Sequence, residues 1–336
     1  RSVFFTDVNT GYAVGTAGKI IKTTDGGQTW QELTYSGVTF LPGGEHIIQL
    51  DFISENVGFM TVGPYTGAYK TTDGGQTWTS LPVSGNLCYT RGLYFTDENN
   101  GFIGGSGCFQ GELINRMTNG TLEAATSPVT FDPQKQVSAF DFDGNFGLAS
   151  STGGRILRTT DGGSNWDTIP ITMNSFDTVS VNSVLIINDT LCYAAYSSSG
   201  SGFGLFVSTD AGLTWEDDPN SMTFFYPDMM DMCLAGNGKM YTCGKPGWDA
   251  TGLIFITNGV IQENMISLDH PLRSCAAYGD SVVFAAGENG YLVTNVPLAQ
   301  LGFTENQKSE TGITVFPNPS TGIITLNIPE GNSLEM

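Results

Sequence analysis

The stretch TTDGGQTW at Thr23–Trp30 recurs unchanged at Thr71–Trp78. It returns as TTDGGSNW at Thr159–Trp166 and as STDAGLTW at Ser208–Trp215. Four of the five tryptophans occupy its last position. Asp followed two residues later by Gly reads as a tight chain reversal. The carboxylate accepts hydrogen bonds from the turn's own amides, and Gly supplies the positive φ that the reversal needs. Trp then opens the next strand and covers the turn with a large apolar face. Asp25, Asp73, Asp161 and Asp210, with Trp30, Trp78, Trp166 and Trp215, are thus expected to be structural.

The spacing of the turn Asp residues supplies a ruler. It is 48 from Asp25 to Asp73, 88 from Asp73 to Asp161, and 49 from Asp161 to Asp210. The double gap predicts an eroded copy, and Ile114–Gly120 (INRMTNG) places Asn119 where the Asp belongs. Thr257-Asn258-Gly259 and Thr294-Asn295 continue the period, which gives seven units of a length typical of propellers and solenoids. A second landmark supports the count. Phe4-Phe5-Thr6-Asp7 leads to Gly11-Tyr12, Phe52-Ile53-Ser54-Glu55 to Gly58-Phe59, and Tyr94-Phe95-Thr96-Asp97 to Gly101-Phe102. Each unit then reads as four strands, A to D, with the Asp turn joining C to D. Repeated four-stranded antiparallel units with almost no helical periodicity predict an all-β, seven-bladed β-propeller. The seventh unit lacks a clear D strand. Two sources stay open: Gln300–Thr304, or a strand before Arg1.

Past Phe303 the texture changes. The propeller is assigned to residues 1–303 and a polar linker to 304–312. Residues 313–336 read as the start of a further domain, opening with Val315–Gly322 (VFPNPSTG) and an alternating strand at Ile323–Ile328.

The chain has 336 residues, 13 basic against 33 acidic, for a formal charge of −20. That field repels phosphate backbones and anionic membranes, which argues against nucleic-acid binding. No apolar run reaches the roughly 18–20 residues of a membrane helix, so no membrane insertion is expected. Six cysteines without C-x-x-C spacing and two histidines argue against zinc. No metal site or cofactor is expected, and the chain reads as a monomer.

The phrase Ser/Thr-x-Asp-x-Gly-x-Thr-Trp resembles the Asp-box, or bacterial neuraminidase repeat, with Asn165 replacing Thr in the third copy. Gly11–Trp30 most resembles the photosystem II assembly/stability factor-like propellers. That resemblance implies a propeller fold and an arginine patch near the channel mouth. Val315–Gly322 resembles the start of the type IX (Por) secretion C-terminal sorting domain of Bacteroidota. It implies export by the type IX machinery to the cell surface or the exterior.

Three sets of site candidates follow. Strand alternation puts the A–B and C–D turns on one face and the D–A and B–C loops on the other. Arg1 and Arg91 open equivalent A strands, in RSVFFTD and RGLYFTD, while Arg273 stands one residue off that place. Together they make a candidate anion site on the D–A/B–C face, or arginines neutralised by neighbouring Asp. Tyr65, Phe109, Phe203 and Trp248 fall in B–C loops, as candidates for gripping a sugar or peptide or as loop anchors. Cys88 and Cys108 share the residue-number sum of 196 that pairs Phe95 with Gly101 across the A–B turn. They are a candidate disulfide worth about 3 kcal/mol. Cys192, Cys233, Cys243 and Cys275 read as small core residues.

The expected role is non-catalytic binding of a protein or glycan, with no catalytic residues assigned. The alternative is a sialidase-like glycoside hydrolase, which needs three arginines, a Tyr–Glu pair and an acid Asp in one pocket. A spacer or adhesin unit of a longer surface protein is a third reading.

Overall fold

The computed structural model describes residues 1–7, 9–40, 46–63, 67–83, 87–107, 111–123, 135–171, 179–198, 202–218, 229–244, 252–257, 260–262, 271–280, 282–287, 292–294, 314–318 and 323–327. These residues form seven antiparallel sheets and, among them, no helix. Six sheets have four strands in chain order, and the seventh has five. Each A strand touches the A strands of the preceding and following sheets, and that of the seventh sheet touches that of the first. The sheets are therefore blades closed around an axis, as the repeat predicts. The fold is a β-propeller.

The Asp turns form as their composition dictates. In blade 2, Asp73 Oδ1 accepts from the Thr77 amide and the Thr71 hydroxyl, both at 2.8 Å, and Oδ2 accepts from Thr77 Oγ1 at 2.6 Å. In the third copy Asn165 Nδ2 donates to Asp161 Oδ2 at 2.7 Å, so the amide does the work of the Thr hydroxyl. The eroded copy is a different device. Asn119 and Gly120 have φ of 50° and 76°, a two-residue turn that needs no carboxylate. Each Asp turn is tied to its own A–B turn, for instance Gly26 N to Asn9 O at 2.7 Å and Gly162 N to Asn145 O at 2.9 Å. Both turns thus lie on one face.

The same turns join the blades. Gly163 has φ +77°, and a Cβ there would lie 2.4 Å from the Phe102 ring of blade 3. The Phe–Gly–aromatic landmark has a similar cause. Gly101 leaves room for Phe95 of its own blade, since an added Cβ would sit 2.4 Å from that ring. The next residue then receives the A-strand Phe of the following blade. Tyr12 stacks on Phe52 at 4.1 Å, Phe59 on Phe95 at 3.5 Å, and Phe102 on Phe142 at 4.9 Å. Phe284 of blade 7 stacks on Phe5 at 4.1 Å and closes the ring by the same contact.

Lys22, Lys70, Arg116 and Arg158 stand on strand C, each three residues before the turn Asp or Asn119, and the last three reach the next blade. Within their own blades, Lys22 lies 5.0 Å over the Tyr12 ring and Arg158 5.5 Å over Phe146. Arg158 Nε donates to Ala211 O in the Asp turn of blade 5, and Arg116 Nη1 to Ser164 Oγ in that of blade 4. Lys70 pairs with Glu98 at 3.5 Å.

In the seventh sheet the C strand, Leu292–Thr294, pairs with Ile323–Asn327, which pairs in turn with Thr314–Asn318. The fourth strand thus comes from the segment that carries the sorting-domain resemblance. Gln300–Thr304 lies outside the described residues.

Two outcomes follow from this packing. Trp78 is 3% exposed, bonds Gly75 O through its indole N–H, and meets Phe52 edge-on. Trp78→Ala is expected to cost about 3–5 kcal/mol in denaturant unfolding. Deleting residues 313–336 is expected to lower the melting temperature and expose an unpaired strand edge, seen as concentration-dependent aggregation. Unchanged melting would instead mark the segment as an independent unit.

Candidate functional site

The site is built from one backbone irregularity repeated around the ring. Six A strands carry one extra residue relative to strand B, with the register shifting at equivalent places. The inserted positions are Ile48, Arg91, Ser138, Asn182, Met230 and Arg273. Each lies four positions before the residue near the A–B turn that the repeat aligns with Phe5, namely Phe52, Phe95, Phe142, Ile186, Leu234 and Ala277. Arg1 holds the same relation to Phe5. A bulge breaks the alternation of the strand and re-aims a side chain. All seven residues line one cavity of about 390 Å³.

Arg1, Arg91 and Arg273 therefore occupy one equivalent position in blades 1, 3 and 7. This corrects the sequence alignment of Arg273, which placed it one residue off. The Phe that anchors the alignment in blades 1 to 3 is Ala277 in blade 7, so the landmark was lost there. Arg91 is exposed to the channel but walled in by strands. That enclosure, with the Arg273 charge, holds its pKa below the usual guanidinium value. Burial and the Arg1 charge likewise hold His46 below the usual imidazole value.

The opposite arc, in blades 4 and 5, is neutral and polar, with Ser138, Thr152, Ser180, Asn182 and Ser197. Asp231 of blade 6 shares the cavity. It accepts from the Met232 and Cys275 amides at 2.9 and 3.1 Å and from Ser183 Oγ at 3.2 Å. Burial outweighs these bonds and pushes its pKa up to about 6. Burial does the same for Asp51 and Asp141, each raised to about 6. Gln49, Asp231 and the neutral arc were not singled out in the sequence; their only signal was a fixed offset from the A-strand landmark.

Other candidates fall elsewhere. Arg155 pairs with the buried Glu112 at 3.6 Å. Phe203 lies on strand C of blade 5, in register with Ser197. Tyr65, Phe109 and Trp248 lie outside the described residues. Cys88 is disulfide-bonded, and Cys108 lies outside the described residues. The sum of 196 holds from Phe95 to Leu93 and then drifts at the bulges, reaching 194 where Gly107 meets Leu87. Cys192, Cys243 and Cys275 are buried free thiols and Cys233 is half-buried. Burial pushes the Cys192 thiol up to about 12. Among the described residues no cluster of three or more His, Cys, Asp or Glu could hold a metal, and no helix is long and apolar enough to cross a membrane.

Residues 1–90 match the family described as "Photosynthesis system II assembly factor YCF48". That stretch holds the first two blades, both with an intact Asp turn. No curated protein matches the chain by sequence. Among solved structures, YCF48 bound to D1 peptide is 14% identical with a TM-score of 0.60, over 98% of this chain and 92% of that one. The WD40 propeller domain of Doa1 is 14% identical with a TM-score of 0.59, over 97% and 91%. An ancestral GH74 enzyme is 16% identical with a TM-score of 0.65, but the match spans 87% of this chain and only 44% of the enzyme. These likenesses support the fold.

The two classes of carboxylate set the pH response of stability. Asp51, Asp141 and Asp231 bind protons more tightly folded than unfolded, so stability falls as pH rises from about 4 to about 6. Thr77, Asn165 and Thr214 hold Asp73, Asp161 and Asp210 down to about 2, so their contribution is lost as pH falls from about 4 to about 2. Calorimetric melting between pH 2 and 8 is expected to peak near pH 4.

Proposed function

We propose that the protein is a non-catalytic binding propeller that captures an anionic group of a protein or glycan partner at its channel mouth. The observation that carries this reading is the gathering of Arg1, Arg91 and Arg273 in one cavity of a chain with net charge −20. Guanidinium groups suit carboxylates by charge and by bidentate geometry, and enclosure strengthens both. The hydroxyl and amide arc opposite would receive the neutral polar part of the same ligand. A peptide is a reasonable occupant by analogy, because YCF48 is described as bound to D1 peptide. In this reading the chain works as a monomer, at the cell surface or outside it. The sorting-type phrase Val315–Gly322 would address it to the type IX machinery.

One observation favours the hydrolase alternative: a trio of arginines and an Asp share a cavity, as a sialidase requires. The described lining includes neither the Tyr nor the Glu that such chemistry needs as nucleophile and assistant. We therefore keep the binding role.

The test is capture of acidic peptides and uronate-containing glycans on an array at moderate salt. The parent protein is expected to retain a subset, and Arg91→Ala/Arg273→Ala to lose at least tenfold in affinity with an unchanged melting profile. Retention by the double variant would remove the site. Turnover of a generic sialoside would overturn the non-catalytic role.

A further inference from the structure

A bulge leaves backbone donors without ladder partners, and in two blades the preceding blade supplies one. Gln49 Oε1 accepts from the Leu93 amide at 3.1 Å, two residues after Arg91. Its register partner Thr61 donates through Oγ1 to the carbonyl of Arg91 itself, at 3.4 Å. Asp231 Oδ2 accepts from the Cys275 amide at 3.1 Å, two residues after Arg273. Gln49 and Asp231 hold one equivalent position, immediately after the bulge of their own blades. Elsewhere that position is Ser2, Gly92, Ala139, Ser183 or Ser274. Four of these short residues precede blades whose bulge carries Ile48, Ser138, Asn182 or Met230. Only Ser274 precedes an arginine, Arg1, whose main-chain nitrogen donates to Val14 O at 2.7 Å. The long acceptors therefore stand before Arg91 and Arg273 and before no other bulge.

We propose that Gln49 and Asp231 are positioning residues, each fixing the bulge of the following blade so that Arg91 and Arg273 aim into the cavity. The proposal rests on the reading of that cavity as an anion site. The two devices differ in charge, and this makes them separable. Gln49 is always neutral. Asp231 is ionisable, and the titratable and charged groups around it are Arg273 and Cys275 of blade 7 and Cys233 and Cys243 of its own blade. Arg1 and Arg91 complete the cavity. Blade 5 meets it through the neutral Ser183. Burial raises Asp231 to about 6, so above that pH its carboxylate offsets one guanidinium charge and weakens anion binding.

The experiment uses the full chain and inorganic sulfate, which keeps its charge from pH 5 to 8. It reads sulfate affinity together with the Nε–H NMR resonances of Arg91 and Arg273. Gln49→Ala is expected to broaden or shift the Arg91 resonance and leave that of Arg273 in place. Asp231→Ala is expected to do the reverse. At pH 5, where Asp231 has no charge to remove, each should weaken sulfate binding about five- to tenfold. Asp231→Asn keeps an acceptor and is expected to restore affinity while abolishing its fall through pH 6. Gln49→Glu keeps its acceptor and should add a pH dependence the parent lacks at that blade. Equal disturbance of both arginines by either Ala variant, or affinities within twofold of the parent, would overturn the positioning role. If the parent and Arg91→Ala/Arg273→Ala respond to sulfate alike, the anion-site reading fails. The resonance pattern would still decide the positioning role by itself.

Discussion

The molecule depends on a contact in which one blade omits a side chain so that the preceding blade can press a ring against it. Gly163 does this for Phe102, and Gly27 for Phe284, with an added Cβ at 2.4 and 2.8 Å. Stacked pairs between strand B of one blade and strand A of the next reinforce it, from Tyr12–Phe52 to Phe5–Phe284. Each contact buries an apolar ring against another sheet, so stability is distributed over the junctions. The Asp turn is what brings its glycine to that junction. Its carboxylate is engaged by the Thr hydroxyls and amide of its own turn.

Rigid junctions have a consequence at the axis. Seven A strands converge where space is least, and in six of them a recurring extra residue turns one side chain into the channel. The backbone supplies seven equivalent positions and the sequence fills them differently. Arginine occupies three, Ser and Asn two, Ile and Met two. A regular frame with variable occupants separates the requirements of folding from those of binding. The face bearing the Asp turns is the opposite one, so the repeated motif can stay invariant while the mouth varies.

Legibility in the sequence followed this division. The Asp turns and the Phe–Gly–aromatic phrase were readable because each is a local pattern with a local cause. The eroded copy at Asn119 was readable from spacing, though not its conversion to a two-residue turn with both φ positive. Arg1 and Arg91 were visible because the same phrase follows both. Arg273 was misplaced by one because Ala277 replaces the Phe that sets the frame. Gln49 and Asp231 could not be seen at all. Their hydrogen bonds cross to the next blade over a separation of 44 residues, and the bulges that create the need leave no compositional mark. The strand pairing of Ile323–Asn327 was equally hidden, since a family-like phrase said nothing about its edge partner.

Charge explains why so small a basic site can matter. With a formal charge of −20, the surface disfavours unselective contact with polyanions. Guanidiniums enclosed by low-dielectric walls keep a local field that the outer charge does not cancel, because screening within the channel is weaker than outside it. In the proposed binding role, an anion gains from the protein's few cations only once it reaches the mouth, where shape and hydrogen-bond geometry would discriminate. Asp231 sits inside that field and not on the outer surface. A charge placed there acts on the arginines directly, whereas exposed carboxylates act only through solvent. One buried acid can thus tune the cavity more effectively than the net charge of the whole chain.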